Sequence, residues 1–358
     1  MNPGHVYVIA EAGVNHNGDL DLARQLVDCA ADAGADAVKF QTFNARKLAN
    51  RSAPKARYQE QSTDAAESQL EMLSKLELPH AWHHELRERA RSRGVEFLST
   101  AFDTDSLAFL EGLDMPFYKV PSGELTNGPL LWQFARQRRP LVVSTGMATM
   151  SEVEQALAVI AHAFNEDHEP AGEAELWRGW SQPAWREALR GRVTLLHCTS
   201  QYPTPMHEVN LRAMDTLAAF GFPVGYSDHT EGLLIALAAV ARGATLIEKH
   251  FTLDRQLPGP DHRASLEPAE LAAMVAQIRQ LQLAMGDGAK CPQASEWNSR
   301  QAARQQVVAA CAIRAGERLT RQHLTTARSG AGLPAIALWG LVGSVARRDF
   351  AAGELIGA

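Results

Sequence analysis

Short apolar runs alternate with stretches of helical period along most of the chain. The runs are VYVIAEAG from Val6, DAVKFQT from Asp36, VEFLSTAF from Val95, FYKVPSGE from Phe117, PLVVSTGM from Pro140, VTLLHCTS from Val193, FPVGYSDHT from Phe222 and TLIEKHFT from Thr245. Each starts almost continuously apolar, as a strand covered on both faces should. Between them lie helical patterns. DLDLARQLVDCAADAG opens on the capping candidate Asp19 and closes at Gly34, and SEVEQALAVIAHAF offers Ser151 as its N-cap. Eight alternating units predict an α/β fold, a closed (β/α)₈ TIM barrel over residues 1–286, rather than an open doubly wound sheet.

The spacing is uneven. A polar excursion, RKLANRSAPKARYQEQSTD, interrupts residues 43–94, either as a loop over the barrel mouth or as an extra surface turn. Residues 164–190 read as an inserted surface element whose Trp177, Trp180 and Trp185 pack locally or mark a partner contact, local packing being favoured. After the last barrel helix, residues 287–303 contain few apolar positions and read as a linker. Residues 304–358 then form a small β-rich module with glycine turns. Within it IRAGERLT and DFAAGELI resemble each other, as in an internal duplication or a repeated turn.

Composition narrows the class. The 358 residues are 46% hydrophobic and 21% charged, an ordinary soluble balance with room for a large core. A net charge of −6 leaves no nucleic-acid footprint. No apolar run reaches the roughly 20 residues that span a bilayer, and MNPGHVYVIAEAG lacks the regions of a signal peptide. Cys29, Cys198, Cys291 and Cys311 show no zinc-like spacing and read as free thiols of a cytoplasmic protein, Cys198 as buried packing.

The chemistry is positional. Every strand-like run ends in polar residues, among them Glu11, Lys39 with Gln41, Thr100, Lys119 with Ser122 and Glu124, Ser144, Ser227 and His250. In an α/β barrel these ends converge on one face, where the active site lies. Lysines within strands are costly unless paired. Lys39 and Lys119 are therefore either ion pairs with Glu11 and Glu124, a Schiff-base lysine, or an anion clamp for phosphate and carboxylate helped by Thr100, Ser122, Ser144 and Ser227. His229 and His250, at the ends of neighbouring strands, can meet at one divalent ion such as Mn²⁺, with Asp228 and Glu248 orienting the imidazoles or joining the ligands. Asp261, in LPGPDHRASL, is presented by a proline–glycine turn to sugar hydroxyls or closes an Asx-type turn.

IAEAGVNHNGDL, AVKFQT, FLSTAFD, YKVPSGE, STGM, LLHCTSQYPTP, GYSDHT and EKHFTLDRQLPGPDH together resemble the sialic acid (N-acetylneuraminate) synthase family, which includes N,N'-diacetyllegionaminate and pseudaminate synthases. The tail resembles that family's β-clip, antifreeze-like SAF domain. The resemblance covers nearly the whole chain. It implies that C3 of phosphoenolpyruvate joins the aldehyde carbon of an N-acetylmannosamine-type sugar, with water added at C2 and phosphate lost by C–O cleavage. It also implies His229 and His250 as ligands of Mn²⁺, with Mg²⁺ or Co²⁺ as substitutes. Phosphoenolpyruvate would be held by Lys39, Thr100, Lys119, Ser122, Ser144, Ser200 and Ser227, and the sugar by Glu11, Gln41, Tyr202 and Asp261. Glu11, Glu124, Lys39 and Lys119 would carry the catalysis. A domain-swapped homodimer would bring Arg328 to the partner's sugar, although the motif here is Arg328-Ser329-Gly330 where the family has Arg-Pro-Gly.

The expected product is N-acetylneuraminate or N,N'-diacetyllegionaminate. The insertion and LDRQLPGPDHRASLEP look less like the pseudaminate branch. A synthase of octulosonate phosphate would need a second cationic pocket, and the strand ends show no surplus of arginine. A carbohydrate- or ice-binding protein on a degenerate barrel would not need so many charged strand ends.

Overall fold

A computed structural model describes residues 4–50, 52–64 and 66–357, the side chains of 61 and 62 excepted. The chain forms two compact units, Met1–Gly286 and Asp287–Ala358. The first holds eight parallel strands: β1 (Tyr7–Gly13), β2 (Ala37–Thr42), β3 (Glu96–Ala101), β4 (Tyr118–Val120), β5 (Leu141–Ser144), β6 (Val193–His197), β7 (Val224–Asp228) and β8 (Leu246–His250). Their hydrogen-bonded order is β3-β2-β1-β8-β7-β6-β5-β4. Because β1 pairs with both β2 and β8, the first and last strands are neighbours and the sheet curls into a ring. β3 and β4, at the two ends of that order, lie in contact. The apolar runs are buried on both faces, with Ile9, Val38, Leu98, Val120, Leu195 and Ile247 all in one core.

Helices form where their ends can be satisfied. Asp19 accepts hydrogen bonds from the backbone N–H groups of Asp21 and Leu22 and starts the helix Leu20–Asp32. The helix Met150–Asn165 is capped not by Ser151 but by Thr149. Thr149 and Glu152 form a capping box that satisfies two backbone donors at once, so Ser151 falls inside the first turn. Of the three inserted tryptophans, Trp180 and Trp185 are buried in the barrel's core and Trp177 is 38% exposed. The excursion after β2 folds into short helices, Ala45–Leu48, Arg57–Ser62 and Gln69–Lys75. Met72 and Leu76 pack there with Val14 and Phe43 in a satellite cluster separate from the main core. No helix among the described residues is long and apolar enough to cross a membrane.

In the second unit, within the stretch read as a linker, Trp297–Ala303 is helical. Strands β9 (Gln305–Ala309) and β10 (Leu324–Arg328) pair antiparallel. The two similar segments are equivalent turns. Glu317 accepts from the N–H of Arg314 and Glu354 from that of Ala351. Gly316 and Gly353 take φ +83° and +84°, a left-handed conformation that disfavours larger residues. Ile313 and Phe350 exchange backbone hydrogen bonds between the turns.

Side chains alternate along each strand, so neighbours in sequence face opposite ways. Glu248 and His250 face the barrel interior, and Lys249, between them, faces out. Lys249 is 1% exposed, and its ammonium donates to Asp228 at 2.8 Å and to the Thr230 carbonyl at 2.6 Å. This buried pair fixes the β7 exit, where Asp228 also accepts from the N–H and hydroxyl of Thr230. Removing one partner of such a pair strands the other charge. Lys249→Met should therefore destabilise the barrel by about 3 kcal/mol, read from denaturant unfolding followed by circular dichroism. A midpoint equal to the wild type would contradict the assignment.

Candidate active site

The polar strand ends line one cavity of about 440 Å³. Its floor is a group of four buried charges. Lys39 Nζ lies 2.7 Å from Glu11 and 3.6 Å from Glu248, and Lys119 Nζ lies 3.3 Å from Glu248. Lys39 also donates to Thr100 Oγ1 at 3.0 Å, and Ser227 donates to Glu248 at 2.8 Å. An ion pair between Lys119 and Glu124 was one of the arrangements the sequence left open. Instead Lys119 reaches across the ring to β8, and Glu124, in the turn after β4, accepts from Asn127 at the cavity edge.

The two carboxylates differ in proton affinity. Burial drives Glu11 up to about 7, against the opposing pull of Lys39. Burial acts on Glu248 too, but Lys119 and Lys39 outweigh it and hold this group at about 2. Burial would discharge Lys39, yet Glu11 and Glu248 overcome it and raise its pKa, so the ammonium is retained. Asp261, buried at the cavity's edge without a cation to offset desolvation, rises to about 6.

Above this floor stand the two histidines, ring centroids 5.7 Å apart. His229 Nδ1 faces the Thr199 carbonyl at 2.7 Å. A carbonyl cannot donate, so the proton sits on Nδ1 and Nε2 keeps its lone pair. His250 Nδ1 is buried with no hydrogen-bond partner among the described residues. Burial lowers the pKa of both rings, strongly for His250, and keeps them neutral. Two neutral imidazoles over an open cavity are a donor set suited to a first-row divalent cation that takes its remaining ligands from water or substrate oxygen. Tyr202 packs at a tilt against His229, ring centroids 4.1 Å apart, and against Tyr58, 4.9 Å apart. Asp228, held by Lys249 on the outer face, is not among the groups at this cavity. His262 is a buried loop residue facing Thr252 and Asn17, and His197 faces the Val209 carbonyl.

Hydroxyls complete one side. Ser122 Oγ accepts from the N–H of Gly146 at 3.0 Å and lies 3.2 Å from Cys198 Sγ. Ser144 Oγ is buried without a partner among the described residues, and Ser200 lines the same cavity. Gly146 was not singled out from the sequence. A Cβ there would sit 2.4 Å from Ser200 Oγ and 2.8 Å from Ser122 Oγ, so only glycine lets the strand ends close together. Phe43, Leu48, Met72, Leu73, Leu76 and Phe102 form an apolar flank, with Tyr58, Gln59 and Gln69 also lining the cavity. Gln41 bridges floor and flank, donating to Glu11 at 3.3 Å. Arg328 is exposed at the end of β10 in the second unit.

Comparison with known proteins agrees along the chain. The NeuB family model matches residues 26–290 and the SAF domain model residues 304–358. N,N'-diacetyllegionaminic acid synthase of Campylobacter jejuni is 46% identical, covering 98% of both chains. Its counterpart in Legionella pneumophila is 42% identical over 98% of this chain and 93% of its own. The crystal structure of N-acetylneuraminic acid synthetase from Leptospira borgpetersenii, solved with citrate, superposes with a TM-score of 0.66 at 34% identity, covering 82% of this chain and 90% of that one.

Glu11 gives the site a pH signature. Its carboxyl titrates near 4.5 ordinarily and near 7 in the fold. Between those values the folded state binds the extra proton, so its stability falls as pH rises. Glu11→Gln removes that dependence. The unfolding midpoint of the wild type should drop relative to Glu11→Gln from pH 4.5 to 7, and a gap that stays constant across this window would refute the shift.

Proposed function

The chain belongs to the NeuB family, and from that premise we propose that it condenses phosphoenolpyruvate with an open-chain N-acylated amino-sugar and water, releasing inorganic phosphate. The observation that carries this reading is the pair of buried lysines beside a bank of hydroxyls on the cavity floor. Lys39 and Lys119 neutralise the phosphate and carboxylate of phosphoenolpyruvate, with Thr100, Ser122, Ser144, Ser200 and Ser227 as further contacts. Ser144, whose hydroxyl lacks a partner, has a donor to spend on the anion. C3 of the enol attacks the aldehyde carbon, the aldehyde oxygen takes a proton, water adds at C2, and phosphate leaves by C–O cleavage. An anion on Lys39 withdraws that cation from Glu11. Glu11, already near neutrality, then holds or releases the proton the reaction moves. Glu124 is the second carboxylate available for proton transfer, at the cavity edge.

His229 and His250 would hold a divalent ion, Mn²⁺ by preference. When bound, it supplies Lewis-acid polarisation of the aldehyde oxygen. Gln41, Tyr202 and Asp261 would meet the sugar's hydroxyl and amide groups.

For the acceptor we favour 2,4-diacetamido-2,4,6-trideoxymannose, which gives N,N'-diacetyllegionaminate. The side chains of Leu48, Met72, Leu73 and Leu76 on the apolar flank offer a 6-methyl and acetamido methyls a dry surface, and a 6-hydroxyl facing these four finds no partner among them. Two relatives, 46% and 42% identical to this chain, bear the same product in their names. N-acetylmannosamine, giving N-acetylneuraminate, is the second reading. Burying one further methyl is worth about 0.8 kcal/mol and stranding a hydroxyl costs about 1–3 kcal/mol. The trideoxy sugar should therefore show at least a roughly tenfold higher kcat/KM in a phosphate-release assay with phosphoenolpyruvate. Turnover should stop after chelation and return with Mn²⁺. Equal rates would defeat the acceptor assignment, and no phosphate release with either sugar would defeat the reaction.

We extend the proposal to a homodimer in which Arg328 meets the sugar in the partner's site. The exposed Ile336 and Trp339, 73% and 74% accessible in the second unit, favour a covering surface. Arg328→Ala should raise the KM for the sugar about tenfold, the cost of one charge-assisted hydrogen bond, and leave that for phosphoenolpyruvate unchanged. Steady-state kinetics with each substrate varied would check this, and an unmoved sugar KM would exclude the contact.

A further inference from the structure

The insertion after the helix Met150–Asn165 contains a second set of cation donors. His162, on that helix, is fully buried. His168 follows in the loop, and Glu175 lies in the first turn of the helix Glu173–Trp180. One ligand atom from each comes within 4.8 Å of the other two, the one group of three or more such residues with this spacing among the described residues. None of them lines the cavity at the barrel mouth.

The three side chains are held differently. His162 packs against Trp185, ring centroids 5.6 Å apart, and Nε2 faces the His168 carbonyl at 2.8 Å. That contact puts the proton on Nε2, and Nδ1 is left buried with a lone pair and no partner among the described residues. Glu175 uses one oxygen to accept the Ala171 N–H at 2.7 Å and presents the other to His168 Nε2 at 2.9 Å. His168 is the movable member, its side chain 59% exposed.

We infer that His162, His168 and Glu175 form a zinc-type cation site that clips the loop of residues 166–172 to the helix beneath it. Two imidazoles, one carboxylate and a water make a four-coordinate shell of the kind zinc adopts. Bonds of about 2.0–2.1 Å place the donors of a tetrahedron about 3.3 Å apart. His168 and Glu175 already meet that spacing. The three donors lie within 4.8 Å of one another, and His168, 59% exposed, is the member with room to supply the remaining closure. The Ala171 N–H holds the carboxylate in place as an outer hydrogen bond, and Trp185 gives the buried imidazole an apolar wall. Both features sharpen a metal site. The fourth position opens to solvent on the His168 side.

Zinc alone is the probe, added to full-length protein stripped with chelator. Carrying His229→Gln and His250→Gln empties the barrel mouth of its imidazoles, so any remaining zinc is counted at the second site. Calorimetry should find one equivalent bound in the micromolar range or tighter. Adding His168→Ala or Glu175→Gln to that background should weaken binding at least about a hundredfold. The glutamine variant retains an acceptor for Ala171, so its effect reports loss of the ligand charge and not loss of the loop. Hydrogen exchange should slow at residues 166–175 on zinc addition, and only in the chain with all three donors. Binding only at millimolar zinc, binding unchanged by both substitutions, or protection confined to another segment would each overturn the site. Because the mouth's histidines are absent throughout, this result is independent of the condensation.

Discussion

Lys39, Lys119, Glu11 and Glu248 are each at most 5% exposed, and none could be buried alone. An isolated ion in a protein interior costs several kcal/mol even after relaxation. The four are tolerated because they neutralise one another in a chain from Glu11 through Lys39 and Glu248 to Lys119. That chain also accounts for the architecture. β4 and β8 are separated by three strands in the ladder, and four strand spacings on a flat sheet come to about 19 Å. Lys119 reaches Glu248 at 3.3 Å only because the sheet is closed and both side chains point into the ring. Closure and charge compensation depend on each other, so a substitution in this group alters folding and chemistry together.

Two glutamates in one small volume end up with opposite tendencies. Glu248 faces two lysines and takes the Ser227 proton as a hydrogen bond, so it stays ionised and serves as the fixed counter-ion. Glu11 is desolvated with one adjacent lysine and a longer bond from Gln41, so it sits near neutrality. Environments that separate like groups in this way mark the proton-handling member of a pair. Under the proposed function, a phosphate and a carboxylate compete with these carboxylates for the lysines, whose counter-ions lie next to where protons must move.

Much of this was legible because polar residues at the ends of buried parallel strands have few reasons to exist apart from a site, and side-chain parity puts Lys39 with Gln41 and Glu248 with His250 on one face. Parity alone would also have removed Asp228 from the neighbourhood of the two imidazoles, since it lies next to His229 and must face the other way. Its true partner, Lys249, was readable by the same rule. The partner of Lys119 was not readable, because contacts across a barrel interior depend on ring closure and tilt, not on nearness in sequence, and Glu124 is the local choice. Thr149 displaced Ser151 as a cap because a capping box satisfies two donors, a signal present in Thr149 and Glu152. Gly146 carried no local signature, as its role is to be absent from a space filled by Ser122 and Ser200.

The apolar flank was the least legible part, and its construction explains how chemistry and selectivity are divided. The floor is built on strands that share ladder hydrogen bonds, so its charges move only if the barrel does. The flank comes from short helices after β2, joined to the mouth through Val14, Phe43, Met72 and Leu76, a cluster apart from the main core. In sequence these residues are scattered among lysines, arginines and glutamines, and only folding gathers their apolar faces. A change of Leu73 or Leu48 therefore reshapes one wall of the cavity without touching a ladder bond or an ion pair on the floor. Under the proposed function, the reaction is tied to the rigid ring, and the choice of sugar to an element that can be repacked independently.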